Sequence, residues 1–146
     1  MVAKTNKIII IKIMDDILKF LIKYCSALYK EFGFCFTASE VSKSFGDAGL
    51  ILTNNEVGAK FLRDRGDLFL DFQNRQDCKR WFSLDVIKPA ITGEHSFHGK
   101  LTDQNGVFLE RNMKAIVDLF SNAKYETTRE LLIKLEREKG KKMFSK

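Results

Sequence analysis

Two histidines, His95 and His98, are the only side chains in the chain whose ordinary pKa suits acid–base work near neutrality. They lie with Glu94 in "GEHSFH", a spacing that a metal ion could use. A structural or catalytic metal normally draws ligands from a second cluster or from a helix-borne H-E-x-x-H, and neither occurs here. The segment therefore reads first as a glycine-flanked loop, and no metal or cofactor is expected. Cys78 sits beside Lys79 and Arg80, cations that would lower a thiol pKa at an exposed site. The plainer reading is a small apolar side chain where a strand hands over to a helix. The chain carries no G-x-S-x-G elbow, Walker loop or G-x-G-x-x-G fingerprint, so an enzyme is the less expected class.

The remaining chemistry is charge set among aromatics. In "FLRDRGDLFLDF", Arg63, Asp64, Arg65, Asp67 and Asp71 surround Gly66. The triplet Arg65-Gly66-Asp67 spells an adhesion signal, but nothing in the chain suggests secretion. If strand pairing continues to the turn, Arg63 and Arg65 share one strand face, Asp64 takes the other, and Asp71 recurs within cross-strand reach. Such a group is either a charge-balanced hairpin end or a polar patch presenting Asp64, Asp67 and Asp71 to a basic partner. Trp81-Phe82 is either a plug against a sheet edge or, if Trp81 is partly exposed, an interface anchor.

The elements that must position these residues follow from periodicity. Asp15-Asp16 favours a helix start, and Ile17, Leu21, Tyr24 and Leu28, with Leu18, Cys25 and Phe32, recur at helical spacing until Gly33 closes the helix. From Phe34 to Asn74 the pattern becomes extended. Four segments rich in Phe, Val, Ile and Leu are separated by Gly46-Asp47, Asn54-Asn55 and Arg65-Gly66, which predicts a four-stranded antiparallel meander. In its last strand Leu68, Leu70 and Phe72 face one side and Phe69, Asp71 and Gln73 the other. Ser83 then caps a short helix with Leu84, Ile87 and Ile91, kinked by Pro89. Asp103 opens a longer helix with the stripe Leu109, Met113, Ile116 and Phe120, and a last helix from about Ala123 to Lys139 carries Tyr125, Thr128, Leu132 and Leu135. The fold class is α+β: an N-terminal helix, the meander, and two to three C-terminal helices covering one face.

Length and composition suit one such domain. The chain has 146 residues, 45% hydrophobic and 12% aromatic, enough for a single well-covered core. We divide it into an extension (1–13), a domain (14–140) and a basic tail (141–146), with "EREKGKKMFSK" read as a solvated charged end. The extension is an added edge strand, a flexible leader, or residues upstream of the natural start. The formal charge of +6 is carried by the ends: +3 lies in residues 1–13 and +4 in residues 137–146, which leaves the body at −1. Nucleic-acid binders cluster Lys and Arg on a structured face, so this distribution argues against that class. Three cysteines without C-x-x-C spacing suggest reduced, mostly buried thiols and a cytoplasmic protein. "KIIIIKIM" is too short to cross a bilayer and is read as no targeting segment.

The order of elements, with "RDRGDLFLDF" and "WFSLD" as its most specific parts, resembles a group of small bacterial proteins. Some of them are immunity proteins of contact-dependent growth-inhibition and related polymorphic toxin systems. The likeness runs from Met14 onward, and residues 1–13 depart from it. It implies a cytoplasmic protein that binds one cognate toxin domain, a nuclease among the candidates, without catalysis of its own and without membrane attachment. No catalytic residue carries over. Arg63, Asp64, Arg65, Asp67, Asp71 and Trp81 are the candidate partner-binding residues, and the alternative function is a nucleic-acid-associated accessory protein acting through the basic C-terminus.

Overall fold

In a computed structural model the protein is described over residues 14–42 and 47–144. The readings of residues 1–13, of the Gly46 turn position and of the last two residues lie outside that range. Helix α1 (residues 14–24) and a short α2 (Ala27–Lys30) precede strands β1 (Cys35–Ser42), β2 (Asp47–Thr53), β3 (Val57–Asp64) and β4 (Asp67–Asn74). A single 3-10 turn (Arg75–Asp77) leads to β5 (Phe82–Ser83), and α3 (Leu84–Thr92), α4 (Asp103–Leu119) and α5 (Tyr125–Phe144) complete the chain. The strands form one antiparallel sheet in the order β1-β2-β3-β4-β5. The α+β class and the meander stand as expected.

Alternation along the strands decides which face is covered. Leu50 and Leu52 of β2, Val57, Ala59 and Phe61 of β3, Leu70 and Phe72 of β4 and Phe82 of β5 are buried together with Ile17, Leu21 and Leu28, Ile87, Leu109, Met113, Ile116, Phe120, Leu132 and Leu135. These side chains form one core between the sheet and the helices. Phe120 is its aromatic centre, with ring centroids 5.8 Å from Phe72, 6.2 Å from Phe82 and 6.1 Å from Tyr125.

Four polar side chains, Asn74, Asn54, Asn105 and Thr102, fix the connections. Asn74 donates to the Phe120 carbonyl at 2.8 Å and to Asn122 Oδ1 at 2.9 Å, while its own Oδ1 accepts the Gln76 N–H. It joins the end of β4 to the end of α4. Asn54 accepts the Glu56 and Val57 N–H groups and donates to the Phe32 carbonyl, which closes the β2–β3 turn onto α2. Asn105 donates to the Lys100 carbonyl at 2.6 Å and accepts from Lys88 Nζ at 2.9 Å, so the start of α4 holds both the preceding loop and α3. Thr102 caps α4 through the Asn105 N–H.

Several sequence expectations change. The first helix does not run unbroken to Gly33; it breaks after Tyr24, and α2 resumes the turn before Gly33 adopts φ +71°. Trp81-Phe82 leads into a fifth strand in place of a bare plug, because Phe82 and Ser83 pair with Phe72 and Asp71. Ser83 precedes α3 without a side-chain bond to its backbone, its hydroxyl being taken by the Asp85 carboxylate. Pro89, by contrast, lies inside α3 where the sequence placed it. The helix loses one backbone bond there and recovers closure at Gly93, whose N–H bonds the Pro89 carbonyl at 2.8 Å with φ +77°. The charged end does not leave the fold at Lys139: α5 continues to Phe144, held by a contact of Glu138 with His95 Nδ1 and an ion pair of Lys139 with Asp85. Of the cysteines only Cys25 is buried, and burial pushes its thiol up to about 12. Cys35 and Cys78 are exposed free thiols, one on the edge strand and the other in the polar connection after β4.

The β3–β4 hairpin closes through Arg65 and Gly66 at φ +53° and +88°, between the paired residues Asp64 and Asp67. Positive φ at both central residues suits the right-handed twist of a two-residue hairpin. The space around Gly66 is open, with nothing within 4 Å of a notional Cβ. Gly66→Val should therefore cost about 1–3 kcal/mol purely through backbone strain, read as a shift in urea midpoint with unchanged slope. Unchanged stability would contradict the left-handed geometry.

Candidate partner-binding surface

The covered face of the sheet leaves its opposite, outer face as the place where several of the candidate side chains converge. By strand parity that face carries Ala38 and Glu40 from β1, Gly49 and Ile51 from β2, Gly58, Lys60, Leu62 and Asp64 from β3, and Phe69, Asp71 and Gln73 from β4. Ile51, Lys60, Leu62, Phe69 and Asp71 are each only half-buried. Two concavities of about 420 and 230 Å³ on this side are lined only by residues of β1 to β4.

Trp81 is laid onto the same face from the segment before β5. A Cβ on Gly58 would come within 3.3 Å of the Trp81 ring and 3.0 Å of Gln73 Cγ, so the glycine makes the shelf on which the indole lies. Lys60 Nζ stands 4.4 Å from the centre of that ring. Asp71 is the cross-strand partner of Lys60, and Ser83 lies on its other side. Trp81, Lys60 and Asp71 thus form a compact amphipathic cluster at the β5 side of the outer face. Burial raises the Asp71 carboxyl above the ordinary carboxylate value, with Asp85 adding to the rise and Lys60 opposing it.

A carboxyl whose folded pKa is raised is most favourable when protonated. Its penalty is absent below the unfolded value, near 3.8, and is fully present once pH has risen through the folded pKa. Asp71→Asn should therefore stabilise the chain at neutral pH, with the gain vanishing as pH falls toward 3.8. Denaturant midpoints of the two proteins across that range provide the check; a gain that persists at the acid end would assign it to something other than ionisation.

The six residues singled out in the sequence divide between places. Asp64, Asp71 and Trp81 belong to the outer face. Arg63 does not share a face with Arg65. It pairs with Leu68 on the helix side, where its Nε contacts Asp16 Oδ2 of α1 at 3.0 Å. Arg65 falls in the turn itself, because pairing ends at Asp64 and Asp67; its guanidinium lies 3.8 Å from the Asp64 carboxylate and its backbone N–H donates to Asp47 Oδ1 at 3.2 Å. Asp67, the cross-strand partner of Asp64 and of the same parity, is tied to Lys100 at 2.9 Å. Glu40, Lys60, Leu62 and Phe69 were not singled out, although Lys60 and Leu62 share the parity of Asp64 and would have followed from it.

The "GEHSFH" loop has a different role. His95 Nδ1 contacts Glu138 at 2.7 Å, and Lys142 donates to the His95 carbonyl at 2.5 Å. Ser83, Asp85 and Lys139 continue this network beneath the loop, joining β5, α3 and α5. The arrangement clasps the loop to α5. Among the described residues no group of three or more His, Cys, Asp or Glu side chains is placed to hold a metal ion. Among them, too, no helix is long and apolar enough to cross a membrane.

Comparison of this chain with protein-family models, curated proteins and solved structures returned no significant match.

Proposed function

We propose that this chain is an immunity-type protein that binds and neutralises a cognate toxin domain through the outer face of its sheet, with no chemistry of its own. The observation that carries the reading is that face itself. It joins an indole laid over Gly58, the Lys60–Asp71 cross-strand pair and an apolar strip of Ile51, Leu62 and Phe69, all half-exposed. A rigid sheet with one large aromatic anchor and charges at its rim has the features of a tight protein interface. The resemblance of "RDRGDLFLDF" and "WFSLD" to immunity proteins gives the partner's class, and the near-neutral body of the chain is compatible with a protein partner.

Co-expression tests it. A toxin C-terminal domain encoded beside this gene should arrest growth alone and be tolerated when this chain is present. Trp81→Ala together with Lys60→Ala should lose protection while the purified variant still folds. A neighbouring gene of housekeeping type, with no protein recovered on co-purification from the native host, would remove the basis of the proposal. The alternative of a nucleic-acid accessory protein has less to support it, since Lys139 is paired with Asp85 and Lys142 donates to the His95 carbonyl. A salt-dependent shift of RNA or DNA abolished by charge reversal at Lys141 would restore it.

A further inference from the structure

The two edges of the sheet are unequal. On one side β5 is only two residues long, and beyond it the Leu101 N–H bonds the Leu68 carbonyl at 2.8 Å, so most of that edge is occupied. On the other side β1 runs for eight residues, is first in the strand order, and is exposed from Cys35 to Glu40. Natural sheets blunt an open edge with lysine, proline, short strands or bulges. β1 has a bulge at Thr37 but no proline and no lysine, and Glu40 is its single charge. Among the described residues no strand pairs with its outer edge, so it offers a run of backbone donors and acceptors to an added strand.

The outer face beside this edge has a defined chemistry. The larger concavity, about 420 Å³, is lined by Glu40, Asp47, Gly49, Leu62, Asp64 and Phe69 among others, and the Arg63 that also borders it is held by Asp16. Among the described residues its acids therefore outnumber its cations. The absence of a side chain at Gly49 lowers the floor between Glu40 and Leu62. A strand added to β1 would stand about 10 Å from β2, two strand spacings, so a lysine or arginine on its outer side would lay its stem beside Glu40 and point its charged head toward the Gly49 gap, in the field of Asp47 and Asp64. A second copy of this chain would instead bring two Glu40-bearing rims together, which like charge opposes.

We infer that the partner docks as an extended strand along β1, alternating apolar and basic residues, with its basic side chains against the Glu40 rim of the acidic concavity of the outer face. This deepens the toxin-binding reading and rests on it for the identity of the partner, but the docking mode can be tested without the toxin. The probe is a nine-residue peptide of alternating lysine and valine, blocked at both ends and titrated into the isotopically labelled full chain by NMR. Amide shifts should concentrate in β1, Gly49 and Leu62, and a glutamate–valine peptide should leave them unmoved. Combining Glu40→Lys with Asp64→Lys should weaken the lysine–valine peptide at least tenfold, whereas Glu94→Lys on the distant loop should not. Shifts elsewhere, equal affinity for the charge-reversed variant, or concentration-dependent dimerisation through β1 would overturn the inference. If the peptide binds as expected but no toxin is neutralised, the toxin reading falls and the docking mode stands. If the charge-reversed variant still protects cells, the docking mode falls and the toxin reading stands.

Discussion

Phe120→Ala should lower the stability of the chain by about 3–5 kcal/mol, the range for removing a fully enclosed aromatic ring. Phe120 is wholly buried and lies where three elements meet: Phe72 from β4, Phe82 from β5 and Tyr125 from α5 all place rings within 6.2 Å of it. Removing the ring deletes its transfer free energy and also these ring contacts. The cavity cannot collapse easily, since the backbone at this position is pinned by the Asn74 side chain on the Phe120 carbonyl. For a domain of this size the loss corresponds to a fall of about 10 °C in thermal midpoint. Phe120→Leu keeps most of the volume and should cost less than half as much. A loss below about 1 kcal/mol for the alanine variant would show that the ring is not enclosed as described.

Gly106→Val is the second large effect, and its sign is decided by one contact. Gly106 is buried in the first turn of α4, where a Cβ would clash with Cγ, Cδ2 and Cε2 of the Tyr24 ring, all within 2.6 Å. Those atoms are the body of the ring, not its free end, and the ring is held by its hydroxyl, which donates to Asp103 Oδ1 at 2.5 Å. Replacing a helical glycine ordinarily gains up to about 1 kcal/mol from backbone entropy. Overpacking costs about 1–3 kcal/mol or more, and a branched side chain here must push α1 away from α4. We expect a net loss of about 2–3 kcal/mol for valine and a smaller loss for alanine. A double-mutant cycle with Tyr24→Ala separates clash from propensity: valine should cost less when the ring is gone. Equal cost in both backgrounds would rule out the contact.

Both effects rest on meetings between distant segments. By contrast, the pattern of elements could be read locally. The turn formers Asn54-Asn55 and Arg65-Gly66 and the alternation in "DLFLDF" determine strands and hairpins within a window of ten residues or fewer, since side-chain parity and positive φ are local properties. The helical stripes Leu109, Met113, Ile116, Phe120 and Tyr125, Thr128, Leu132, Leu135 are buried as their spacing requires. Asp64, Asp71 and Trp81 were legible as charge and aromatic surface, but their assembly with Lys60 was not.

What the sequence by itself determined is therefore the order and type of the elements and which residues share a strand face. The tertiary structure alone decided which face is covered, since Leu68, Leu70, Phe72 and Phe69 are similar candidates for a core until the helices choose between them. It also decided that Arg63 turns to Asp16, that Gly58 makes room for Trp81, and that α5 continues past Lys139 because Asp85 and His95 are waiting for it. Each of these joins residues that are far apart in the chain, up to 54 positions in the case of Asp85 and Lys139. Periodicity reports only on neighbours along the backbone, whereas these contacts are set by how the packed layers bring remote backbones together.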